Sequence, residues 1–346
     1  MKEKGQDPSP GLGKILLAHG AGGRMAHQLI AGHLLPSLSN PHLDQLDDSA
    51  ILKMGDFRLA FTTDSYVVDP PFFPGGDIGR LAVCGTVNDL SMVGARPLYL
   101  SLSLIMEEGL LLSDLEKIVA SIQAAAQEAG VLIVTGDTKV VGKGGADGIF
   151  LNTSGIGVIQ DPGIFISGSN ARVGDQVILS GSIADHGIAV ISQRQGFFLG
   201  EDLESDVAPL NGMVQEMLRV SREVHVLRDP TRGGLATALN EIAEQSSVGV
   251  VLEESKIPVR ESVRGACELL GLDPLYVANE GKLVAMVKKD AAGSVLEAMK
   301  NHPLGRGAEI IGEIMENPKG MVLLRTRIGG TRVVDMLTGE ALPRIC

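Results

Sequence analysis

The last residue of this 346-residue chain is a cysteine, and it ends the sequence PRIC. Chain ends usually fray, and their residues are usually dispensable. A thiol at this position is therefore either incidental or functional, since a sulfur with no chain beyond it can enter a narrow site end-on. The other two cysteines, Cys84 and Cys267, lie in apolar helical patterns and are predicted to be buried as small hydrophobic residues.

Acidic residues recur where strands and helices are expected to begin or end: Asp48 before a strand, Asp64 after one, Asp89 late on a helix, Asp137 after a buried strand and Glu280 in a turn. Carboxylates that converge at such ends repel one another, which raises their pKa values and costs stability. A hard cation removes this cost, and Mg²⁺ typically binds through a few carboxylates together with substrate phosphates. The set therefore indicates a magnesium–phosphate site, although each aspartate alone is as well explained as a cap or turn residue.

Two neighbours of these carboxylates are interpreted separately. Asp47 is typical of a turn residue, which aspartate often is. Lys139 lies two residues after Asp137, so that its ammonium group could contact a phosphate oxygen as a point charge.

Two glycine-rich segments each precede a predicted helix: HGAGG at residues 19–23 and DPTRGGL at residues 229–235. Backbone N–H groups at the start of a helix form an anion site, and glycine lets a phosphate come close. Arg232 adds a guanidinium fork that suits phosphate oxygens. Ordinary N-capping explains each loop equally well. His19 is more typical of a hydrogen-bonded structural residue, and PPFFPGGDIG at residues 70–79 is either a lid or a packed turn.

Composition opposes several classes of function. The net charge of −12 opposes a nucleic-acid or anionic-membrane binder, because both need exposed basic surface. No apolar run reaches the roughly 18 residues of a membrane span, and the polar start MKEKGQDPSP does not resemble a signal peptide. Three widely separated cysteines fit a reducing cytoplasm. P-loop, dinucleotide, zinc-protease and nucleophile-elbow motifs are absent from the sequence, so a nucleotide would be bound by a less common design.

Short apolar runs alternate with helical patterns in the first half of the chain. AILKMG and RLAFTTD are predicted to be adjacent strands joined by a turn near Gly55, and IGRLAVCGTVNDLSMVGA is predicted to be a helix. The strands LYLSLSLIM and VLIVTGD flank a helix that has a capping box at Ser113 and Glu116 and that ends at Gly130. A last strand, TSGIGVI, completes this half.

The second half mixes strands and helices without strict alternation, which favours an α+β architecture over a doubly wound sheet. Its predicted elements are the strands QVILSG and LVAMVKK and the helices 213–220, 234–245 and 261–270. The segment QDPGIFISGSNARVGD is predicted to join two domains. We therefore expect a disordered lead-in at residues 1–12, domains at 13–160 and 170–335, and a mobile tail at 336–346.

Several segments together resemble the HypE family of hydrogenase maturation factors: HGAGG, DDSAIL, TTDSYVVDPPFFPGGDIGRLAVCGTVNDLSMVGA, VTGDTKVV, DPTRGGLA, ANEGKLV and the terminal PRIC. The resemblance extends from about residue 14 to residue 346, and only the first dozen residues depart from it. The carboxylate and glycine motifs alone indicate a wider superfamily of ATP-using enzymes, which includes aminoimidazole ribonucleotide (AIR) synthetase, thiamine-monophosphate kinase and selenophosphate synthetase. PRIC is the discriminating element.

The resemblance implies a two-domain α+β fold like that of AIR synthetase (PurM), a homodimer formed by the N-terminal domain, and ATP near the cleft. It implies an ATP-dependent dehydratase that acts on its own C-terminal cysteine. The carbamoyltransferase HypF would load that sulfur with a carbamoyl group, and the S-carboxamide would be dehydrated to a thiocyanate. The cyano group would then pass to iron on a HypC–HypD complex and become a ligand of the [NiFe] hydrogenase centre.

The resemblance also implies roles for single residues. The metal and the phosphates would lie among four aspartates: Asp48, Asp64, Asp89 and Asp137. ATP would be bound by small and polar residues of the loops: Gly20, Gly22, Gly23, Asn88, Arg232, Gly233 and Gly234. Cys346 would carry the substrate group, with Lys139 and Glu280 nearest to it, and which group removes the proton stays open.

The length of the tail suits such a role. An extended chain from Ala341 to Cys346 spans about 17–20 Å, so the thiol could reach a partner enzyme and return. Pro343 would restrict the tail and reduce the entropy lost on docking. The α-carboxylate should raise the thiol pKa and Arg344 should lower it, and the sequence does not decide which effect dominates.

Two alternative functions remain open at this point. In the first, the protein is an ATP-dependent phosphoryl-transfer enzyme that acts on a free small metabolite, and Cys346 is incidental. In the second, it is a non-catalytic scaffold that only presents the cysteine to partners.

Overall fold

The structure is a computed structural model that describes residues 14–196, 203–339, 342 and 344–346. The predicted lead-in at 1–12 and the tail residues Ala341 and Pro343 lie outside the described residues. Within these ranges, no helix combines the length and the apolar character that crossing a membrane requires.

The described part of the chain begins with a helical segment that contacts the second domain. It consists of helix α1 (Arg24–Leu29), a π-helical turn and helix α2 (Leu35–Leu38). Arg24 lies 2.9 Å from a carboxylate oxygen of Asp335, and the backbone N–H of Arg24 donates to the carbonyl of Leu337 at 2.8 Å. The glycine loop at residues 19–23 is thereby held beside the last part of the chain.

The first domain contains a five-stranded sheet and a small hairpin. Its strands are β1 (Ala50–Met54), β2 (Phe57–Tyr66), β3 (Phe72–Phe73), β4 (Gly76–Asp77), β5 (Arg96–Glu107), β6 (Leu132–Val141) and β7 (Ile149–Ile159). The sheet has the order β1–β2–β7–β5–β6, and β3 pairs only with β4. The predicted hairpin is confirmed, because β1 and β2 pair antiparallel across Gly55, whose φ of +60° favours glycine.

Two helices cover one face of this sheet. In α3 (Ile78–Met92), Asp77 caps the first turn by accepting hydrogen bonds from two backbone N–H groups at 2.7 and 2.9 Å. The helix α4 (Leu112–Ala129) connects the parallel strands β5 and β6, and it ends at Gly130 as predicted, with φ +70°. The predicted capping box is wrong, because the helix starts one residue earlier than Ser113 and its N-cap, Leu111, makes no side-chain bond.

The other face of the first sheet is uncovered in a single chain. The edge strand β6 was predicted to be buried, but its residues are exposed as far as Val140, with Leu132 at 65% and Val134 at 59% of full exposure. The prediction failed because continuous apolar character does not distinguish a strand buried within one chain from one that a second chain would cover.

The second domain contains a seven-stranded sheet. Its strands are β8 (Gln176–Leu179), β9 (Val224–Arg228), β10 (Gly249–Glu253), β11 (Val284–Val287), β12 (Glu309–Met315), β13 (Met321–Arg325) and β14 (Thr331–Val334). Their order is β14–β13–β10–β12–β8–β11–β9. The helices are α5 (Asp185–Gln195), α6 (Asn211–Val220), α7 (Gly234–Gln245), α8 (Glu261–Leu270) and α9 (Lys289–Asn301).

The two predicted strands of the second half and its three predicted helices are confirmed, as is the α+β class. Helices α5 and α9 and five of the strands were not predicted. The first sheet ends at Ile159 and the second begins at Gln176. Between them, Arg58 donates hydrogen bonds to the carbonyls of Asp161 and Ile164 at 2.6 and 2.9 Å, which attaches the connecting segment to the first domain.

Helix α3 joins the two domains. One apolar cluster combines Leu90 and Met92 of this helix with Met213 and Met217 of α6 and with residues of the second sheet. The buried amide of Asn88 lies at the same junction and bonds to backbone groups of the second domain. The end of α3 is therefore fixed relative to both domains, and residues there can meet residues of the second domain with defined geometry.

Candidate active site

Three carboxylates from separate elements meet where the domains join. Asp48 lies shortly before β1, Asp89 lies near the end of α3, and Asp229 follows β9 directly. One oxygen from each lies within 4.8 Å of the others. Thr62 of β2 holds two of them in place, because its hydroxyl oxygen lies 2.9 Å from the backbone carbonyl of Asp48 and 3.2 Å from Oδ2 of Asp89.

Asp64 adjoins this cluster from inside β2, rather than from beyond the strand end as predicted. Its Oδ2 accepts a hydrogen bond from Thr86 of α3 at 3.1 Å, and it shares a hydrogen bond with Asp89. The structure therefore brings together three of the four aspartates that the sequence assigned to the metal, and it adds Asp229.

Burial raises the pKa of each of these carboxyl groups. The pKa values of Asp48 and Asp89 lie well above the ordinary value, and that of Asp229 rises to about 6. Neighbouring carboxylates raise these values further, whereas the guanidinium of Arg228 lowers the pKa of Asp48 and Asp229. The cluster is therefore costly to ionise without an additional positive charge.

Arg228 is the buried cation on one side of the cluster. It lies 3.2 Å from Oδ1 of Asp48, and it makes a short contact with Glu241. Glu241 also lies 2.7 Å from Nε2 of His27 in α1. Because Arg228 is shared between two carboxylates, it leaves most of the charge of the aspartate cluster uncompensated.

The donor set fits a hard divalent cation. It consists of carboxylate oxygens, which are the ligands that Mg²⁺ prefers, and their number leaves positions for phosphate oxygens and water. Asp48, Asp89 and Asp229 would hold the ion, with Asp64 beside them. Such an ion would remove the repulsion that raises their pKa values.

The C-terminal tail is docked at the edge of this site. The backbone N–H of Val67 donates to a carboxylate oxygen of Cys346 at 3.1 Å, and that of Asp69 donates to the carbonyl of Arg344 at 3.2 Å. The tail thus runs antiparallel to the chain that leaves β2. This arrangement turns the terminal residue towards the carboxylates.

The second domain holds the tail from the opposite side through α5. Nε2 of His186 lies 2.8 Å from the carbonyl oxygen of Ile345, and Arg194 donates to the carbonyl of Arg344 at 2.7 Å. The side chain of Ile345 is buried with the apolar cluster of the first domain. Groups from both domains therefore fix the last three residues.

Cys346 faces a cavity of about 80 Å³, whose wall includes Ser65, Arg232 and Gly233. Burial raises the pKa of the Cys346 thiol to about 12, and Arg232 opposes this increase. This cavity volume is well below the roughly 300–1,000 Å³ of typical ligand pockets, so the cavity has room for a small group on the sulfur but not for a nucleotide. Cys84 and Cys267 are buried as predicted.

Two ionisable side chains, those of Arg232 and Glu280, interact electrostatically with both the thiol and the aspartates. Glu280 is buried, and its Oε1 has no hydrogen-bond partner among the residues that the structure describes. Burial raises the pKa of Glu280 well above its usual range, with Asp229 as the next cause, while Arg232 lowers it. The pKa of Arg232 is itself raised, chiefly by Cys346. These two residues therefore lie where a reacting group on the sulfur would be.

A second, larger cavity of about 1030 Å³ lies under the N-terminal helical segment. Gly20 and Arg232 line both cavities, and Gly22 lines the larger one. Arg232 donates to the carbonyl of Gly20 at 3.2 Å, and a Cβ at Gly22 would come within 2.7 Å of the Arg232 side chain. The two glycine loops predicted from the sequence thus meet, and their contact separates a nucleotide-sized space from the thiol.

The other predicted glycines have local roles in this structure. Gly233 and Gly234 begin α7 with φ values of +76° and +63°, and a Cβ at Gly234 would approach the carbonyl of Leu275 to 2.6 Å. A Cβ at Gly23 would approach the carbonyl of Leu337 to 2.3 Å. Tight backbone packing therefore explains these glycines, and only Gly233 also faces the thiol cavity.

Asn88 corrects the sequence analysis. Its amide nitrogen donates to the carbonyls of Ala208 and Glu280 at 3.1 and 3.2 Å, and its oxygen accepts from the N–H of Leu210 at 2.7 Å. Because its two donors are engaged by the protein and the side chain is buried, Asn88 is a structural link between domains and is not available to ATP.

Three interpretations of surrounding residues can now be compared with the structure. Asp47 accepts hydrogen bonds from the connecting segment, at 2.8 Å from the N–H of Gly168, in agreement with a structural role. Nδ1 of His19 bonds to the backbone of Leu16, which agrees with its structural interpretation. The segment at residues 70–79 is a packed hairpin rather than a lid, since Phe73 is buried against His186.

Asp137 and Lys139 do not reach the site within one chain. They pair with each other at 2.7 Å on the exposed strand β6. The pairing of the strands aligns Asp137 with Ser65 across the sheet, so these two side chains lie on the same face. Asp64, the neighbour of Ser65, lies on the opposite face, which packs against α3. Side chains alternate between faces, so Asp137 projects from the uncovered face, three strand spacings or about 14 Å from β2. Within one chain these two residues therefore lie apart from the aspartate cluster, and their roles as ligand and catalyst stay predictions.

Sequence reasoning missed Asp229 and the residues that hold the tail. Asp229 had a usable signal, because it follows a strand directly, much as Asp48 comes shortly before one. The glycines of the same segment drew attention to phosphate binding instead. His186 and Arg194 had no local signal, because a helix far from the C-terminus in sequence contacts the tail only after folding.

The two-domain architecture, with a carboxylate cluster at the junction, is that of the AIR synthase related proteins. The model of their N-terminal domain matches residues 46–159, and that of their C-terminal domain matches residues 172–324. Carbamoyl dehydratase HypE from Cupriavidus necator is 54% identical over 335 residues, which cover 96% of this chain and 95% of the relative. The chain belongs to the HypE family.

Solved structures agree with this assignment. A crystal structure of a HypE–HypF complex contains a chain of 49% identity and TM-score 0.85, with 89% of this chain and 99% of that chain covered. A crystal structure of hydrogenase maturation protein HypE in complex with ATP has 51% identity and TM-score 0.81, with coverage of 96% and 100%.

Proposed function

We propose that this protein is an ATP-dependent carbamoyl dehydratase whose substrate is the S-carboxamide on its own C-terminal cysteine, Cys346. The product is a thiocyanate, which supplies the cyanide ligand of [NiFe] hydrogenase iron. The observation that carries the proposal is the docked position of Cys346 in a small cavity beside Arg232 and Glu280. Membership in the HypE family and the solved HypE–ATP complex support it.

The reaction removes oxygen from an amide, and oxygen is a poor leaving group. Transfer of the γ-phosphoryl group of ATP to the carboxamide oxygen, with loss of one N–H proton, gives an imidate phosphate on the sulfur-bound carbon. Loss of the second N–H proton forms the C≡N bond as inorganic phosphate leaves. Each proton needs an acceptor, and Glu280, whose carboxyl group interacts electrostatically with the thiol, would serve as one.

Different described residues would bind the phosphates, the nucleoside and the metal ion in this reaction. Gly20, Gly22 and Arg232 would bind the phosphates, with the base and ribose in the larger cavity. Mg²⁺ held by Asp48, Asp89 and Asp229 would supply charge neutralisation and orientation of the phosphates. Arg232 lines both cavities, so it would contact the transferred phosphoryl group.

The acidity of the docked thiol indicates when the sulfur is loaded. Since burial raises the pKa of the docked thiol to about 12, the docked thiol is protonated at neutral pH. The thiolate is the nucleophile, so loading requires the undocked tail. We propose HypF as the loading partner, which the solved HypE–HypF complex of a relative supports. A HypC–HypD complex would receive the cyano group.

The uncovered sheet face supports a homodimer. It exposes Phe61, Tyr99 and Ile156, each at 41–45% of full exposure, next to Asp137 and Lys139. A second copy that covers this face would bury the apolar residues. We propose that Asp137 and Lys139 of the partner subunit complete the site, because within one chain they point away from it.

Mass spectrometry of the C-terminal peptide tests the function. Incubation with HypF, carbamoyl phosphate and Mg-ATP should place a carbamoyl group on Cys346, and the same peptide should then lose the mass of one water. The variant Glu280→Gln, which keeps the shape of the side chain, should accumulate the carbamoylated peptide. Cys346→Ser is the control for the labelled residue.

Several outcomes would count against the proposal. Labelling at Cys84 or Cys267 would remove the role of the terminal cysteine. Dehydration that survives both Glu280→Gln and Lys139→Ala, with folding intact, would favour a scaffold or a different base. Loss of water without ATP would exclude the phosphoryl-transfer step.

A further inference from the structure

The side chain of Arg344 is bound by residues of the first domain that take no part in the chemistry. Its guanidinium makes a short contact with Asp147, and Nε donates to the carbonyl of Val67 at 2.9 Å. Asp69 lies 3.9 Å away, and the ring centroid of Phe150 lies 5.9 Å from the guanidinium carbon. Arg344 thus has a carboxylate, a carbonyl and an aromatic ring around it, which is a complete environment for this side chain.

Asp147 reaches Arg344 from the glycine-rich loop between β6 and β7. Gly144 and Gly148 of this loop have φ values of +82° and +78°, which favour glycine. Asp147 itself is 67% exposed on its side chain, and Arg344 is its only ion-pair partner among the described residues. The loop therefore presents one carboxylate to the tail, at a distance from the aspartate cluster.

The backbone of the tail is bound separately, by α5. The carbonyl of Ile345 can only accept, so the Nε2 of His186 carries the proton, and its Nδ1 accepts from the hydroxyl of Ser205 at 2.8 Å. Arg194 links the tail to the segment that follows β2. Its Nε donates to the carbonyl of Asp69 at 2.7 Å, and its Nη2 donates to the carbonyl of Arg344. His186 and Arg194 therefore bind the backbone of the tail, whereas Asp147 binds the side chain of Arg344.

We propose that Asp147 recognises Arg344 and, together with His186 and Arg194, holds the tail in the docked position. These are positioning residues, and they set the fraction of chains whose Cys346 is free for loading. The proposal rests on the proposed function, because it assigns two positions of the tail to two half-reactions. Weaker docking should favour loading and disfavour dehydration, so one substitution should move the two rates in opposite directions.

The accessibility of the thiol tests docking without any catalysis. Cys84 and Cys267 are buried and Cys346 is only partly exposed in the docked tail, so in the folded full-length protein a thiol-alkylating reagent such as iodoacetamide should modify Cys346 faster when the tail is undocked. The variant Asp147→Asn should increase the rate of Cys346 alkylation about two- to fivefold, as expected for loss of one exposed ion pair. The rate is measured on the C-terminal peptide by mass spectrometry.

Exchanging the charges of Asp147 and Arg344 distinguishes a specific contact between them from general damage to the loop. Arg344→Asp should expose Cys346 as Asp147→Asn does, and the double variant Asp147→Arg with Arg344→Asp should restore protection at least in part. Glu253→Gln is the matched control, because Glu253 pairs with Arg325 at 2.8 Å on the second sheet rather than with any described residue of the tail. Unchanged alkylation in Asp147→Asn, an equal increase in Glu253→Gln, or no restoration in the double variant would overturn the proposal.

The half-reactions supply a second readout. Asp147→Asn leaves the tail sequence intact, so its loading by HypF should be faster, while dehydration of the loaded protein in a single turnover should slow. The two fold-changes multiplied together should equal the change in the docking equilibrium, about two- to fivefold for one exposed ion pair. A parallel decrease in both rates would indicate general damage and contradict the proposal. If no dehydration occurs even in the unmodified protein, the proposed function fails, and the alkylation measurements still decide whether Asp147 holds the tail.

Discussion

The carboxylates at the domain junction carry more negative charge than the protein itself neutralises. One carboxylate oxygen each of Asp48, Asp89 and Asp229 is brought within 4.8 Å of the others by three different parts of the chain. Burial is the largest cause of their raised pKa values, and mutual repulsion adds to it. At the scale of single residues, the site is therefore destabilising until a cation or a proton enters it.

This excess charge predicts how stability depends on pH. A pKa raised from 3.8 to about 6 at Asp229 means that the folded protein binds protons more readily than the unfolded chain in this interval. The contribution of the cluster to stability is therefore present at low pH and is lost as pH rises through about 6. Mg²⁺ should raise the melting temperature clearly at a pH of about 7.5 and little at a pH of about 5, because protons compete with the ion.

Calorimetry with and without Mg²⁺ at the two pH values checks this expectation. Asp89→Asn should remove most of the gain at the higher pH, whereas Asp161→Asn, a carboxylate on the connecting segment, should leave it unchanged. An equal gain at both pH values would show that these carboxylates are not the binding site.

Helix α3 determines how closely the elements of the first domain approach one another. Gly85 faces β2, and a Cβ there would come within 2.3 Å of the hydroxyl oxygen of Tyr66. The side chains of Thr86 and Asp89 on the same helix bond to Asp64 and Thr62 of that strand. The geometry of the carboxylates thus depends on a helix that lies unusually close to the sheet.

Substitution Gly85→Ala should therefore cost about 1–3 kcal/mol of unfolding free energy, because the added methyl group overpacks the contact with β2. Gly265→Ala in α8 is the matched control: no atom lies within 4 Å of its Cβ position, and alanine should stabilise that helix by about 1 kcal/mol. Denaturant midpoints measure both changes. If Gly85→Ala were as stable as the control, the close approach of α3 and β2 would not be needed for the fold.

How far the elements could be predicted follows from the strength of their local signals. The bounds of α7 and α8 agree with the prediction, because amphipathic spacing and flanking glycines mark them. The strand β6 was placed correctly but was assigned the wrong burial, since the described residues of this chain leave it exposed as far as Val140. Helix α5 was missed, although it binds the tail, because its sequence is interrupted by polar residues that are buried only through tertiary contacts.

At the scale of the whole molecule, the first sheet has two faces with different partners. One face packs on α3 and carries Asp64, and the other exposes Asp137, Lys139 and apolar side chains. A site that includes Asp137 and Lys139, as we propose, therefore requires either a rearrangement of β6 or a second subunit. The pairing of β6 along nine registered positions with β5 opposes a rearrangement.

Mixed dimers distinguish these two arrangements. Lys139→Ala and Cys346→Ser should each abolish dehydration alone, because each removes one part of every site. Coexpression of the two variants should restore part of the activity, since in a mixed dimer the intact Cys346 of one subunit meets Lys139 of the other. Dehydration is again followed on the C-terminal peptide.

The matched control places both substitutions in one chain and pairs it with the unmodified protein. Each mixed dimer then has one intact cysteine, but it faces a subunit without the lysine, so the mixed dimers should be inactive. Absence of activity in the first mixture, with mixed dimers confirmed by mass, would contradict a site shared between subunits.

The sequence by itself determined the presence of a terminal thiol, the oxygen donors at element ends, the glycine loops and the family, because these are properties of residue type and spacing. Only the tertiary structure decided that Asp229 joins Asp48 and Asp89, that α5 holds the tail, and that Asp137 projects away from Asp64. The physical reason is that strand alternation relates neighbouring side chains to each other, whereas packing decides which face becomes the interior.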